Sequence, residues 1–561
     1  MQKVLLIPEL LDLIFGLVDT PSNAVNARVC KAWSSIALDA LWREVDDLPR
    51  LFSLLAPLQR IGTTSEEYFF AELPDAARWK RFEKYSSRIR RFAYCLDPSE
   101  QQIHINKSVF DEIARTRTRL NFLPNMHNLV WKAPLNSSVV FMHSSIKTFD
   151  IWLPDELEET SPRPFFQDVV ARMPNITNLN IRSYVAVHDI ETELIELLNG
   201  LPKLHTITLP RFYLTSNVSE ALSRLPNLAI IEFQYFAEQG CGNPDDVVPY
   251  APTLSEGAFP LLWDHSLTAQ FSDVARFFNL DFAPTNITTL YVDSGIDEMA
   301  SSIENFLVVL VENCQLLKYL ALVSLRDAGS PQPMEDEQRF KITMDHLKPI
   351  FKLPNLRSLE LLHHHSLALQ QTDIENIAFS FPAMETLILN NEPVILDESS
   401  LTMEALGSFA RHCPYLTHLG LFIDTTGIQA SLSPSAAMDL IPFKSLRRLS
   451  MGVSIITDDN AASLYLSHIL PVGCTVDCGI TWDETVFAAR DVYKNVQDRC
   501  ELWTKVDRVL PVLVRLRVEE KERLRLMERE LDDLRMRNGV LKDSSRLVAG
   551  LASNDSTCVI T

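Results

Sequence analysis

The sequence predicts an α/β fold of the solenoid kind. A short all-α module comes first, then an irregular array of helix–strand units forming one curved parallel sheet with helices outside, then a C-terminal helix. Three observations predict this. A nine-residue phrase, clearest as LPNLRSLEL at 353–361, returns along the middle of the chain. An apolar run, VLLIPELLDLIFGLV at 4–18, opens it. A charged segment with regularly spaced leucines, LRVEEKERLRLMERELDDLRMRN at 516–538, follows the last copy of the phrase.

Composition sets the class. Hydrophobic residues make up 46% of the 561 and charged ones 22%, enough apolar material for a large core. Lys plus Arg, 52, against Asp plus Glu, 73, gives a formal net charge of −21, which disfavours nucleic acid and anionic lipid as general partners. Nine cysteines at irregular spacing form no disulfide framework and fit a reducing compartment. No window of about 20 apolar residues free of charges offers a membrane span. Glu9 and Asp12 inside the opening run, with no small-residue cleavage site after it, argue against an export signal. The expectation is a cytoplasmic or nuclear protein, or both, in which the sequons at Asn175, Asn217 and Asn286 carry no meaning.

The opening run reads as a helix. Pro8 suits a first turn, where its missing N–H costs nothing, and Asp19-Thr20-Pro21-Ser22 ends it. Leu10, Leu11, Leu13, Ile14, Phe15, Leu17 and Val18 surround this helix rather than lining one stripe. Such a helix must be buried on all sides, which a module this short cannot do unaided, so part of its surface is expected to meet something else. LIPELLDLIFGLV followed by ARVCKAWSSIALDALW (27–42) resembles an F-box: Pro-Glu-Leu at the first helix, Val-Cys-Lys-x-Trp at the second, Leu-Trp at the close. REVDDLPRLFSLLAPL (43–58) is further similar to fungal F-box proteins with a leucine-rich downstream region, while NAVNA (23–27) puts Ala24-Val25 where a Leu is usual. The resemblance implies a substrate-recognition adaptor of an SCF-type (Skp–cullin–F-box) ubiquitin ligase. It would bind a Skp-type adaptor and, through it, a cullin, and would be non-catalytic, with ubiquitin transfer on partner subunits. Carried over by position, Ile7, Pro8, Leu10, Leu11, Ile14, Leu17, Val29, Trp33, Leu41 and Trp42 form the docking surface or its immediate support. The rival from another class is a leucine-rich-repeat scaffold outside any ligase, associated with membranes if the chain is lipidated.

The phrase itself is strand-forming. Pro ends a preceding helix, and L-x-x-L-x-L supplies period-two apolar contacts. Clear copies are MPNITNLNI (173–181), LPKLHTITL (201–209), LPNLAIIEF (225–233), FPAMETLIL (381–389) and CPYLTHLGL (413–421). Looser ones are LPNMHNLVW (123–131), PTNITTLYV (284–292), CQLLKYLAL (314–322) and FKSLRRLSM (443–451), and the weakest are SSRIRRFAY (86–94), HSSIKTFDI (143–151) and FPLLWDHSL (259–267). Pro174, Pro202 and Pro226 lie 28 and 24 residues apart, and helical patterns such as DIENIAFS (373–380) precede the clearer copies. A helix–strand unit at this period resembles the leucine-rich repeat, here irregular, with the Asn usual after the strand mostly absent. Segments 238–258 and 326–341 read as exposed loops. If the repeats hold a protein substrate, Glu232, Tyr291, Arg357, Ser358, Glu360, Asn390 and Phe422 are the candidates to face it; its identity is not encoded legibly.

No phosphate loop, G-x-S-x-G or H-E-x-x-H occurs, so no catalytic residue, cofactor or metal ligand is expected. His363-His364-His365 read as a solvated loop, because adjacent strand residues point to opposite faces, and Cys474 and Cys478 read as terminal core cysteines. Beyond a last helix at 482–510, Pro511 punctuates. Leu524, Met527, Leu531 and Leu534 then repeat at spacings of 3, 4 and 3 until Gly539, a pattern for a capping helix or for short coiled-coil self-association. Cys558, fourth from the end, has the position of a prenylation site, although Thr561 is not a usual last residue. The boundaries predicted are 1–45 for the F-box, 46–85 for a helical connector, 86–480 for the solenoid, 481–541 for C-terminal helices and 542–561 for a flexible tail.

Overall fold

The computed structural model describes residues 7–60, 67–96, 104–154, 161–234, 237–326, 337–396, 399–427, 440–481 and 490–554. They divide into two compact units, Met1–Leu325 with Lys348–Asn355, and Arg326–Leu347 with Leu356–Thr561. Parallel strands carry both, ten in the first unit and five in the second, with helices between them: an α/β solenoid of the leucine-rich-repeat type. Among the described residues no helix is long and apolar enough to cross a membrane.

In all thirteen copies of the phrase the strand begins at the sixth residue, as at Asn128, Asn178, Ser358 and Thr386. Its fourth, seventh and ninth residues turn inward: Leu356, Leu359 and Leu361 are buried, and the helix Gln371–Ser380 supplies Ile374 and Ile377 to the same interior. The fifth residue's carbonyl accepts from two successive amides of the next copy. Thr177 O, for example, receives His205 N at 2.7 Å and Thr206 N at 3.0 Å. That double acceptance holds register while the spacing of copies varies. LPVGCTVDC (470–478) is a further copy unrecognised in the sequence, because Gly473 and Cys478 stand at its fourth and ninth places; its strand is Thr475–Cys478.

The missing Asn has substitutes. A strand exit leaves buried backbone groups that must find partners. Ser454 Oγ donates to Leu421 O and accepts from Ile423 N, both at 3.0 Å. Ser324 Oγ does the same for Ile296 O at 3.0 Å and Glu298 N at 2.8 Å. Asn390 keeps the amide, accepting from His363 N at 2.9 Å and donating to His365 O at 2.7 Å.

The front of the first unit is α1 (Pro8–Gly16), α2 (Thr20–Asn26) and α3 (Lys31–Arg43). Buried Asn23 donates to Phe15 O at 2.8 Å and Val18 O at 3.1 Å, tying α2 to the carbonyls at the end of α1. Arg43 pairs with Asp12 at 2.6 Å. No linker follows: Glu44–Val45 pairs directly with Arg91–Cys95 as the first strand of the repeat sheet.

Several expectations are corrected. The stretch 46–85 is not a purely helical connector, because Leu58–Arg60 and Glu67–Phe70 join His104–Ile105 in a separate small sheet. An aromatic cluster lies here, with Phe52 against Phe70, Phe110, Phe122 and Phe141. The insertion 238–258 is not simply exposed. Gln239 is buried and donates to Ile181 O at 2.8 Å, and Gly240, at φ 85°, lies too close to the Ser183 carbonyl to admit a Cβ. Part of 326–341 lies outside the described residues, and Phe340 beside it is buried. The three histidines are buried, not solvated: His365 stacks on Phe340, and His364 meets Arg326 at 3.1 Å. Neither Pro511 nor Gly539 ends a helix, since one helix runs Arg490–Asn554 through both. That continuity also replaces most of the flexible tail expected at 542–561; Cys558 lies outside the described residues.

Candidate functional site

Two surfaces carry the residues singled out above. The first is the helical module. Leu11 and Phe15 turn toward α3, where they pack with Ala37 and the half-buried Ala27, Trp33, Ile36 and Ala40. The rest of α1's apolar side chains turn outward. Ile7, Leu10, Leu13, Ile14 and Leu17 are 42, 37, 66, 40 and 91% exposed, and Ile7, Leu10, Ile14 and Leu17 follow the three- and four-residue spacing of one helix face. Val25 and Val29 add to the module's exposed apolar surface.

Of the ten residues assigned to docking, Ile7, Pro8, Leu10, Ile14, Leu17 and Val29 are therefore at the surface, and Trp33 and Leu41 are half-buried. Leu11 and Trp42 are buried, so they support the surface without forming it. Trp42 packs on Tyr85, 5.0 Å between ring centroids, with the Arg50 guanidinium over its face at 4.9 Å. Arg88 donates to Ser35 O at 2.9 Å and pairs with Asp39, joining α3 to the helix Ala76–Ser86. Leu13 and Val25 were missed; both stand in the quoted sequence but outside the matched words.

The second surface is the strand face opposite the inward leucines. In the first unit its register runs Val130, Asp150, Asn180, Thr208, Glu232, and farther along Ser266, Tyr291, Ala321. In the second it runs Glu360, Ile388, Gly420, Ser450, Asp477. The chemistry changes along the rows. Near the start, Arg182 lies over Trp152 at 4.2 Å. Thr208 donates to Glu232 at 2.9 Å, and Tyr291 meets Phe233 edge-on. Burial, and then the neighbouring Glu232 charge, raise the Asp264 carboxyl to about 6. Burial likewise raises Glu360.

Glu232, Tyr291 and Glu360 thus occupy the predicted face, half-buried, and Arg357 is exposed at a strand entrance, paired with Glu385 at 3.0 Å. Ser358 is on the face but almost fully covered. Asn390 and Phe422 are corrections. Asn390 is spent on the backbone of the histidine turn, and Phe422 turns inward beneath Val453 and Val496 because its strand has already ended at Leu421. Trp152 and Arg182 were missed, although each lies next to a quoted phrase.

His418, Ser450 and Asp477 are hydrogen-bonded, but in an order unlike a nucleophile relay. Ser450 Oγ sits 3.0 Å from both Asp477 oxygens and 2.7 Å from His418 Nε2. The hydroxyl proton goes to the carboxylate and the imidazole donates, so this is a polar bridge. Among the described residues no cluster of His, Cys, Asp and Glu is placed to hold a metal.

No family model matches this chain, and no curated protein matches it by sequence. Among solved structures, it is similar to the complex of Rad7 and Elc1 in yeast, at 13% identity and TM-score 0.31, covering 60% of this chain and 82% of that one. It is also similar to LegL7, a leucine-rich-repeat-containing protein from Legionella pneumophila, at 12% identity and TM-score 0.29, covering 66% and 94%. A third is the Leptospira interrogans leucine-rich-repeat protein LIC12759, at 12% identity and TM-score 0.34, covering 77% and 99%. Likeness this loose says nothing of function.

Proposed function

We propose that the chain is the substrate-receptor subunit of an SCF-type ubiquitin ligase: α1–α3 dock a Skp-type adaptor, and the repeat face holds a protein substrate. The observation that carries this reading is the apolar face of α1, left uncovered by its own module. An uncovered apolar face of several side chains on a folded module is the mark of an interface. The F-box resemblance of the same residues supplies the kind of partner. The direct run from α3 into the first strand supports the reading further, since a receptor must hold its substrate at a set place relative to the ligase. On this reading the chain catalyses nothing itself.

The test is co-purification of the full chain with a Skp-type adaptor, wild type beside Leu10→Asp/Ile14→Asp. Wild type is expected to retain the adaptor and the double variant to lose it with an unchanged melting temperature. Folded wild type that recovers no adaptor ends the ligase reading, and adaptor recovered without a cullin places the protein outside a ligase.

A further inference from the structure

The helix Arg490–Asn554 has two parts with different surroundings. Its first part is anchored: Val496, Trp503, Val506, Leu510 and Val514 are buried. Trp503 Nε1 donates to Ser454 O at 3.0 Å, and Asp507 accepts from Val476 N at 2.9 Å. After Val514 no described side chain is buried. Every side chain from 518 to 542 is exposed, so about 1.5 Å per residue of rise carries the helix on for roughly 40 Å without cover. Yet Leu524, Met527, Leu531, Leu534 and Leu541, each about half exposed or more, fall at spacings of 3, 4, 3 and 7. That is the a/d seam of a coiled coil, with Leu524, Leu531 and Asn538 at a, and Met527, Leu534 and Leu541 at d.

From this seam and the charges beside it, we infer that residues 524–541 pair with the same segment of a second copy as a parallel two-stranded coiled coil. The charges decide both the occupant and the direction. In a parallel pair, each g residue faces the e residue five places on in the partner. Arg523 at g then meets Glu528, and Glu530 meets Arg535, so the two central pairs are attractive in both directions. A fully overlapping antiparallel pair would instead bring Glu530 to Glu530 and Arg523 to Arg537, like against like. Asn538 at an a position points the same way, because parallel pairing sets the two amides opposite each other, where they bond and fix register. The last pair, Arg537 with Lys542, is like-charged and limits the affinity. The Asp533–Arg537 bridge at 2.9 Å stabilises the helix of each single chain. A dimer so joined presents two receptor faces at once, so a substrate with two recognition segments is held by avidity.

The experiment is the mass of the full chain in solution, by light scattering over about 1–100 µM, where a self-associating species changes its average mass with concentration. Wild type is expected to approach twice the chain mass, and Leu531→Asp/Leu534→Asp to stay at one. Two further variants read direction. Arg523→Glu/Glu530→Arg and Glu528→Arg/Arg535→Glu should each be monomeric alone and dimeric when mixed. Monomeric wild type across the range overturns the proposal. So does a dimer that survives Leu531→Asp/Leu534→Asp, or charge variants whose mixing restores nothing. All the substituted side chains are exposed, so an unchanged tryptophan-fluorescence melt confirms that each variant is folded.

Discussion

The leucines of the repeats and the leucines of α1 are the same residue type at comparable local density, with opposite fates. Leu359, Leu387 and Leu419, at one place in successive copies, are almost completely buried, with Leu387 lying between the other two. Leu13 and Leu17 are exposed, because α1 packs on α3 by one face and, among the described residues, its outer face is left uncovered. Repetition is what makes the difference. A repeat unit buries its apolar stripe against the next copy, whereas a single module has no next copy and leaves one face over.

That contrast is broken most severely from the buried side. Leu419→Ala should cost about 2–5 kcal/mol, the range for a large core side chain truncated where the surroundings cannot collapse, read by denaturant unfolding. A loss below about 1 kcal/mol would mean that the second unit is loosely packed. Next is the polar counterpart of the same interior. Asn390→Ala removes the amide that accepts from His363 N–H and donates to His365 C=O, and should cost about 1–3 kcal/mol. Its backbone, at φ 46°, also suits Asn better than Ala.

Smaller and pH-dependent is the effect on the half-buried strand face. Asp264 is raised to about 6 in the folded chain, from an ordinary 3.8. The folded state therefore holds a proton that the unfolded state has released between those values, and stability falls as pH rises through that window. Asp264→Asn removes the cost of burying the charge. It should melt higher than wild type above pH 6, by about 2 °C, and lose that advantage below pH 4. The smallest effect belongs to the exposed side: Leu10→Asp/Ile14→Asp should change stability by less than about 0.5 kcal/mol while abolishing adaptor capture. Equal losses of stability and of capture would make α1's outer face part of the core and erase the contrast.

Much of this was legible because it is local. A proline followed by spaced leucines sets where each strand begins, and every recognised copy obeys one rule whatever its distance from the next. The copy at 470–478 escaped because Gly473 and Cys478 disguise it, yet backbone pairing with Arg448–Gly452 completes the strand without those leucines. The module was legible by its words, and so was its excess of apolar surface. The particular site residues were less so. Which face of α1 is covered depends on where α3 lies, and Phe422 and Asn390 were placed on the open face by period alone, although one had passed the strand's end and the other was held by a turn.

By itself, then, the sequence determined the repeating strand starts, the apolar helix at the front and the heptad spacing at the back, since each depends on residues a few places apart. Tertiary structure decided which of those apolar stripes are satisfied. It buried three histidines under Phe340 and beside Arg326, and it carried one helix through Pro511 by anchoring Trp503, Val506, Leu510 and Val514 on both sides of it. Burial is a property of distant neighbours, and a proline's cost of about 3 kcal/mol is overridden only when such neighbours hold the turns around it.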